Sequence, residues 1–127
     1  MIIGIGVDTV EIERFALWHT YSEKKLLRIF SQEEIVYCLG NRSKSAERFA
    51  ARFAAREALY KAISAFLGKK IPFLTLCAYT SITKVDGQPQ IIIRGGLDFD
   101  LSSFIIHLSL SHSRTLATAF VVVEKHA

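Results

Sequence analysis

Two cysteines, two prolines and one methionine in 127 residues remove several classes of protein at once. Cys38 and Cys77 are far apart and form no C-x-x-C pair, so neither a disulfide framework nor a zinc cluster is expected, and both read as buried free thiols. Prolines this sparse, with seven glycines, leave no linker, repeat or low-complexity stretch. Long apolar runs are also missing: Phe104 to Leu110, broken by His107, and Ala119 to Val123 fall far short of the ~20 residues of a membrane helix. The start, Met1-Ile2-Ile3-Gly4, lacks the basic and long apolar regions of a signal peptide, so a cytoplasmic location is expected. No Walker motif, G-x-S-x-G, H-E-x-x-H or Cys/His ligand set occurs, so any phosphate chemistry must rest on arginines, lysines and a metal.

What is present suits one packed domain over residues 1–127. Hydrophobic residues make up 50% and charged residues 22%, with mean hydropathy +0.28, which excludes disorder. A chain of this length buries roughly 65 to 70% of its unfolded surface. Sixteen Lys and Arg against twelve Asp and Glu give a net charge of +4. That balance favours an anionic partner such as a nucleotide, a nucleic acid or an acidic protein.

Helical patterns occupy residues 9–67 and strand patterns dominate from Thr75 onward. The first strand, Ile2 to Val7, sets Ile3, Ile5 and Val7 on one side and Gly4, Gly6 and Asp8 on the other, a bare backbone floor that something approaches closely. Asp8-Thr9-Val10-Glu11 and Ser31-Gln32-Glu33-Glu34 both fit helix starts, the second as a capping box. The longest helix is predicted from about Lys44 to Leu67, with Phe49, Phe53, Tyr60, Ile63 and Leu67 on its buried face, before Gly68 and Pro72. Strands are predicted for Leu74 to Val85 and Pro89 to Ile93 around the Asp86-Gly87 turn, and for Phe104 to Ser111 and Leu116 to Val123. The class is therefore α+β, an antiparallel sheet packed on one long helix plus short helices.

Each candidate residue has a chemical and a structural reading. Asp8 is either a carboxylate at the glycine floor, able to reach a cation, or an N-cap completed by Glu11. Glu57 and Lys61 form either an ordinary helix pair or a partly desolvated couple fit for a cation and a phosphate. Arg48, Arg52 and Arg56 recur every four residues, as a solvated basic face or an anion site. Arg14, Trp18, Tyr21, Lys25 and Arg28 follow helical spacing and read as a basic docking row carrying an exposed tryptophan, although residues 20–22 can break that helix. His112 ends the Ile106, Leu108, Leu110 face of its strand.

Gly4-Ile5-Gly6-Val7-Asp8, Glu11-Ile12-Glu13-Arg14-Phe15, the segment from Arg52 to Ala62 and Leu108-Ser109-Leu110-Ser111-His112 together resemble the holo-acyl-carrier-protein synthases of the 4′-phosphopantetheinyl transferase family, in order and over essentially the whole chain. The resemblance implies Mg²⁺-dependent transfer of 4′-phosphopantetheine from coenzyme A to a serine of apo-acyl carrier protein, releasing adenosine 3′,5′-bisphosphate, for fatty acid biosynthesis. It further implies a homotrimer with active sites between subunits. By position, Asp8 and Glu57 become metal ligands, and Asp8, Glu57 and Lys61 the catalytic set. Arg52, Arg56, Lys61 and His112 lie along the coenzyme, and Arg14, Trp18, Lys25 and Arg28 on the surface that holds the carrier protein. Mg²⁺ takes one or two carboxylates with phosphate oxygens and water, so two suffice. For the serine proton, Glu57 and a metal-bound water are the two candidate bases.

Three departures from the family pattern bear on these roles. Arg56 replaces the usual lysine, with a different donor geometry. Ser64-Ala65-Phe66-Leu67-Gly68-Lys69-Lys70 stands where the family is glycine-rich, so that Lys69 or Lys70 takes over part of the phosphate binding. Gln88 stands in the hairpin where Asp-Gly or Asn-Gly is usually followed by lysine. A nucleic-acid-binding module would explain the charge but has no use for Asp8 and Glu57 among the cations. Transferases serving polyketide or peptide carrier domains share the chemistry but are commonly about twice as long.

Overall fold

The computed structural model describes residues 1–95 and 101–126. Strands β1 (Ile2–Glu11), β4 (Phe104–His112) and β5 (Leu116–Lys125) form an antiparallel sheet in the order β1-β5-β4, and β2 (Thr80–Val85) pairs with β3 (Gln88–Ile93) in a separate hairpin. The helices are α1 (Glu23–Leu26), α2 (Gln32–Leu39), α3 (Ser45–Ser64) and α4 (Phe73–Ala78), with 3-10 turns at Ile12–Phe15, Trp18–Thr20 and Arg42–Lys44. The α+β class and the long helix on an antiparallel sheet are as expected from sequence.

Helix α3 lies against the inner face of the sheet because small residues meet there. Gly4 and Gly6 are buried, and a Cβ at Gly6 would lie 1.9 Å from the Ala58 carbonyl oxygen, one at Gly4 2.2 Å from that of Ala62. The closely approaching partner of the glycine floor is thus the helix backbone itself. Ala54, Ala55, Ala58 and Ala62 are fully buried, with Ala117, Ala119, Val121 and Val123 of β5 in the same core. Of the large side chains assigned to the helix's buried face, Phe49 and Ile63 are inaccessible, whereas Phe53, Tyr60 and Leu67 are only partly covered.

Three local expectations change. Asp8 to Glu11 does not start a helix: β1 runs on, pairing Asp8 with Ala119, Thr9 with Thr118 and Val10 with Ala117. Val10 is buried, and the Thr9 and Thr118 hydroxyls meet at 3.0 Å, so β-branched side chains with a strand partner outweigh the capping pattern. Leu74 to Ala78 forms a helical turn where a strand was expected, because Phe73, Leu76 and Cys77, at i, i+3 and i+4, share one side and Leu76 and Cys77 enter the core. The long helix ends at Ser64, with Phe66 and Leu67 N–H still bonded to the Ile63 carbonyl. The Ser31 to Glu34 capping box forms as read. Asp86 (φ 52°) and Gly87 (φ 79°) make the β2-β3 turn, the paired left-handed conformation that suits Asp-Gly.

The sheet's outer face is bare. Ile5, Val7, Ile105 and Phe120 are all exposed there, bordered by the Thr9–Thr118 pair at one end and by His107, 2.9 Å from the Glu124 carboxylate, at the other.

Candidate active site

Asp8 sits in mid-strand on the inner face, so the N-cap reading is excluded. Its side chain is 16% exposed, with Oδ1 3.1 Å from the Lys61 ammonium, while Oδ2 is buried with no hydrogen-bond partner among the described residues. Lys61 also donates to the Val7 carbonyl at 3.0 Å, which ties the exposed end of α3 to β1. Glu57 lies one turn before Lys61. Burial pushes its carboxyl above the usual range, and the charge of Asp8 pushes it the same way, against Lys61 and Arg14. Two carboxylates that repel each other and an orphaned buried oxygen describe a place for a cation. Among the described residues no group of three His, Cys, Asp or Glu side chains could hold a metal. A hard cation here would therefore complete its shell with water and phosphate oxygens, the habit of Mg²⁺.

The second cluster lies at the other end of α3. A cleft of about 380 Å³ is lined by Tyr37, Lys44, Arg48, Arg52, Lys84 and His112, among others. His112 Nε2 is 3.0 Å from a Glu47 oxygen. Arg48 and Arg52 stack on the Tyr37 ring, with Cζ 4.0 and 4.4 Å from its centre, and the Lys84 ammonium is 5.1 Å from it. The Tyr37 hydroxyl is held below its ordinary pKa, first by its hydrogen bond to Lys84 and then by the charges of Arg48, Lys84 and Arg52, with burial opposing. Arg52 is 5% exposed, and its Nε is buried with no partner among the described residues. Sequence reasoning had Arg52 and His112 but not Tyr37, Glu47 or Lys84. The repeat of Arg48 and Arg52 at i, i+4 was the visible signal; the ring from α2 and the lysine from β2 reach it only through the fold.

Two expectations are corrected. Arg56 was placed at the coenzyme, yet its guanidinium is inaccessible. It forms a two-pronged ion pair with buried Glu34 and donates to the Thr80 carbonyl at 2.9 Å, joining α2, α3 and β2 in the core. Trp18 was expected exposed on a helical docking row. Instead the segment breaks into two 3-10 turns and α1, and Trp18 packs on Phe15, Tyr21, Phe30, Phe49 and Phe53 at centroid distances of 4.4 to 6.2 Å. Arg14, Lys25 and Arg28 remain exposed, Arg14 over the Phe15 and Phe53 rings and Lys25 over Tyr21. Leu17 and Leu27, 66% and 45% exposed, supply apolar surface in the same segment.

Residues 4–121 match the 4′-phosphopantetheinyl transferase superfamily. The chain is 35% identical over 124 residues to the holo-[acyl-carrier-protein] synthase of Chlamydia trachomatis, covering 97% of this chain and all of that one. It is 39% identical over 127 residues to that of a Geobacillus species, covering 98% of each. Among solved structures, a holo-(acyl-carrier-protein) synthase from Bacillus anthracis in complex with CoA (3′,5′-ADP) superposes with a TM-score of 0.76 at 34% identity, covering 99% of both chains.

Proposed function

The chain belongs to the 4′-phosphopantetheinyl transferase superfamily, among the holo-acyl-carrier-protein synthases, and from that premise we propose how its own residues divide the work. The reaction moves 4′-phosphopantetheine from coenzyme A to a serine of apo-acyl carrier protein. The serine oxygen forms a bond to the β-phosphorus of the pyrophosphate, the bond to the bridging oxygen breaks, and adenosine 3′,5′-bisphosphate leaves.

Asp8 and Glu57 hold a divalent cation, Mg²⁺ by the hardness and number of the ligands. When bound, it supplies charge neutralisation at the pyrophosphate. The observation that carries this assignment is the unpartnered, buried Oδ2 of Asp8 beside a Glu57 whose carboxyl is raised. Lys61, already bonded to Asp8, lends positive charge to the same phosphates. The Glu57 carboxylate is the group of this chain placed to take the serine proton. The Lys44, Arg48, Arg52 and Lys84 cleft receives the remaining phosphate of the coenzyme, with His112 oriented by Glu47 at its edge.

Along α3, Arg52 and Arg48 lie about 8 and 13 Å before Glu57, and the phosphates the two clusters bind hang from one ribose. In the assembly proposed here, a second copy brings its cleft to the carboxylates of the first. The exposed apolar sheet face supplies the contact, and a homotrimer of about three times 14.3 kDa by light scattering is the expected assembly. Arg14, Lys25 and Arg28, with Leu17 and Leu27, hold the acidic carrier protein. The chain acts as one domain in the cytoplasm and serves fatty acid biosynthesis. Among the described residues no helix is long and apolar enough to cross a membrane.

The decisive experiment is intact-mass measurement of apo-acyl carrier protein incubated with coenzyme A and Mg²⁺. A mass gain of one phosphopantetheine is expected, lost on chelation and largely lost in Asp8→Asn and Glu57→Gln. Near-normal turnover in both variants would remove the metal assignment.

A further inference from the structure

Tyr37 carries three cations around a single ring: Arg48 at 4.0 Å, Arg52 at 4.4 Å and Lys84 at 5.1 Å. Among the described residues none of the three is paired with a carboxylate; Glu47 is taken by His112, Glu34 by Arg56 and Glu33 by Arg94. Like charges this close repel, and without a scaffold they would splay toward water. Tyr37 opposes that in three ways. Its ring faces attract the guanidinium groups, its carbonyl accepts a 2.7 Å bond from Arg48 Nη1, and the Lys84 ammonium lies 5.1 Å from the ring centre. Residues from α2, α3 and β2 thus hold one fixed array of donors.

We propose that Tyr37 is a positioning residue that sets the enzyme's preference for a coenzyme bearing a phosphate monoester on its ribose. It does so by holding Arg48, Arg52 and Lys84 in place before the phosphate arrives. The effect of the ring passes through the cations, whose arrangement is complete before binding. Arg52, buried with Nε unpartnered, is the member with a donor to spare. This inference rests on the assignment of the cleft to a phosphate of coenzyme A.

The test compares coenzyme A with dephospho-coenzyme A, which lacks only that monoester, at saturating apo-carrier protein. Wild type is expected to favour coenzyme A through KM. Tyr37→Leu is expected to raise KM for coenzyme A about tenfold, the scale of one partly desolvated cation–π contact. KM for dephospho-coenzyme A, KM for the carrier protein and kcat should stay where they were. Tyr37→Phe, which keeps the ring, should restore most of the preference. Tyr37→Met, unbranched and adaptable in packing, must give the same split as Tyr37→Leu, which keeps the test open if the leucine variant folds poorly. Equal weakening of both coenzymes, a fall in kcat alone, or an unchanged preference in Tyr37→Leu or Tyr37→Met would overturn the role of Tyr37. A wild type indifferent to the monoester would overturn the assignment of the cleft as well, while leaving the transfer reaction itself intact.

Discussion

Gly6→Ala is the perturbation that tests whether the catalytic pair is set by backbone contact between β1 and α3. The added Cβ would stand 1.9 Å from the Ala58 carbonyl oxygen and 2.9 Å from Ala62 N, where real Cβ atoms do not come within 3.0 Å. Backbone on both sides leaves no rotamer to absorb the overlap, so α3 must retreat from the strand by roughly 1 Å. Overpacking of this kind costs about 1 to 3 kcal/mol, a fall of roughly 4 to 11 °C in Tm for a chain this size. Function is expected to suffer more. Asp8 is two residues along the strand and Glu57 is adjacent to Ala58, so the same shift changes the spacing of the two carboxylates, and a misplacement of that size can cost about 100-fold in rate. Thermal melts and transfer assays at saturating Mg²⁺, with Gly68→Ala as a stability control whose Cβ meets nothing within 4 Å, measure both effects. A Gly6→Ala protein with wild-type Tm and turnover would refute the close approach and the registration of the site that follows from it.

Arg56→Met should destabilise by about 3 to 5 kcal/mol, because it leaves Glu34 charged and buried, whereas adding Glu34→Leu should recover most of that loss; urea unfolding of the two proteins measures it. For Glu57, a carboxyl raised above 4.5 holds its proton into a range where an ordinary glutamate is ionised. Protons should therefore compete with the divalent cation, whose affinity falls as pH drops through that range. The cation-free fold shows the opposite trend, losing stability as pH rises through the raised pKa and Glu57 ionises. Glu57→Gln should abolish both trends in cation titrations and melts. Lys25→Ala with Arg28→Ala is expected to raise KM for the carrier protein and flatten its salt dependence, leaving KM for coenzyme A nearly unchanged. Substrate titrations at low and high salt decide, and an effect on coenzyme A alone would move these residues to the nucleotide site.

The sequence by itself determined the features set by near neighbours: the Ser31 capping box, the Asp86-Gly87 turn, the long alanine-rich helix and the strand pairs near the C-terminus. It also determined that Asp8 shares a face with two glycines, because strand alternation needs no partner to be read. Only the tertiary structure decided what Asp8 to Glu11 became, since a strand forms there through pairing with β5, more than 100 residues away. It likewise divided the three arginines of α3. Each step of four residues overshoots a full turn by about 40°, so Arg56 lies about 80° around the helix from Arg48, and the packing of α2 and β2 puts one in the core and the other at a cleft. Trp18 was misread for the same reason. Its row kept helical spacing on paper, but the chain breaks after Phe15 and again at Tyr21, and a large aromatic ring released from that row gains more by burial against Phe15 and Phe53 than by facing a partner.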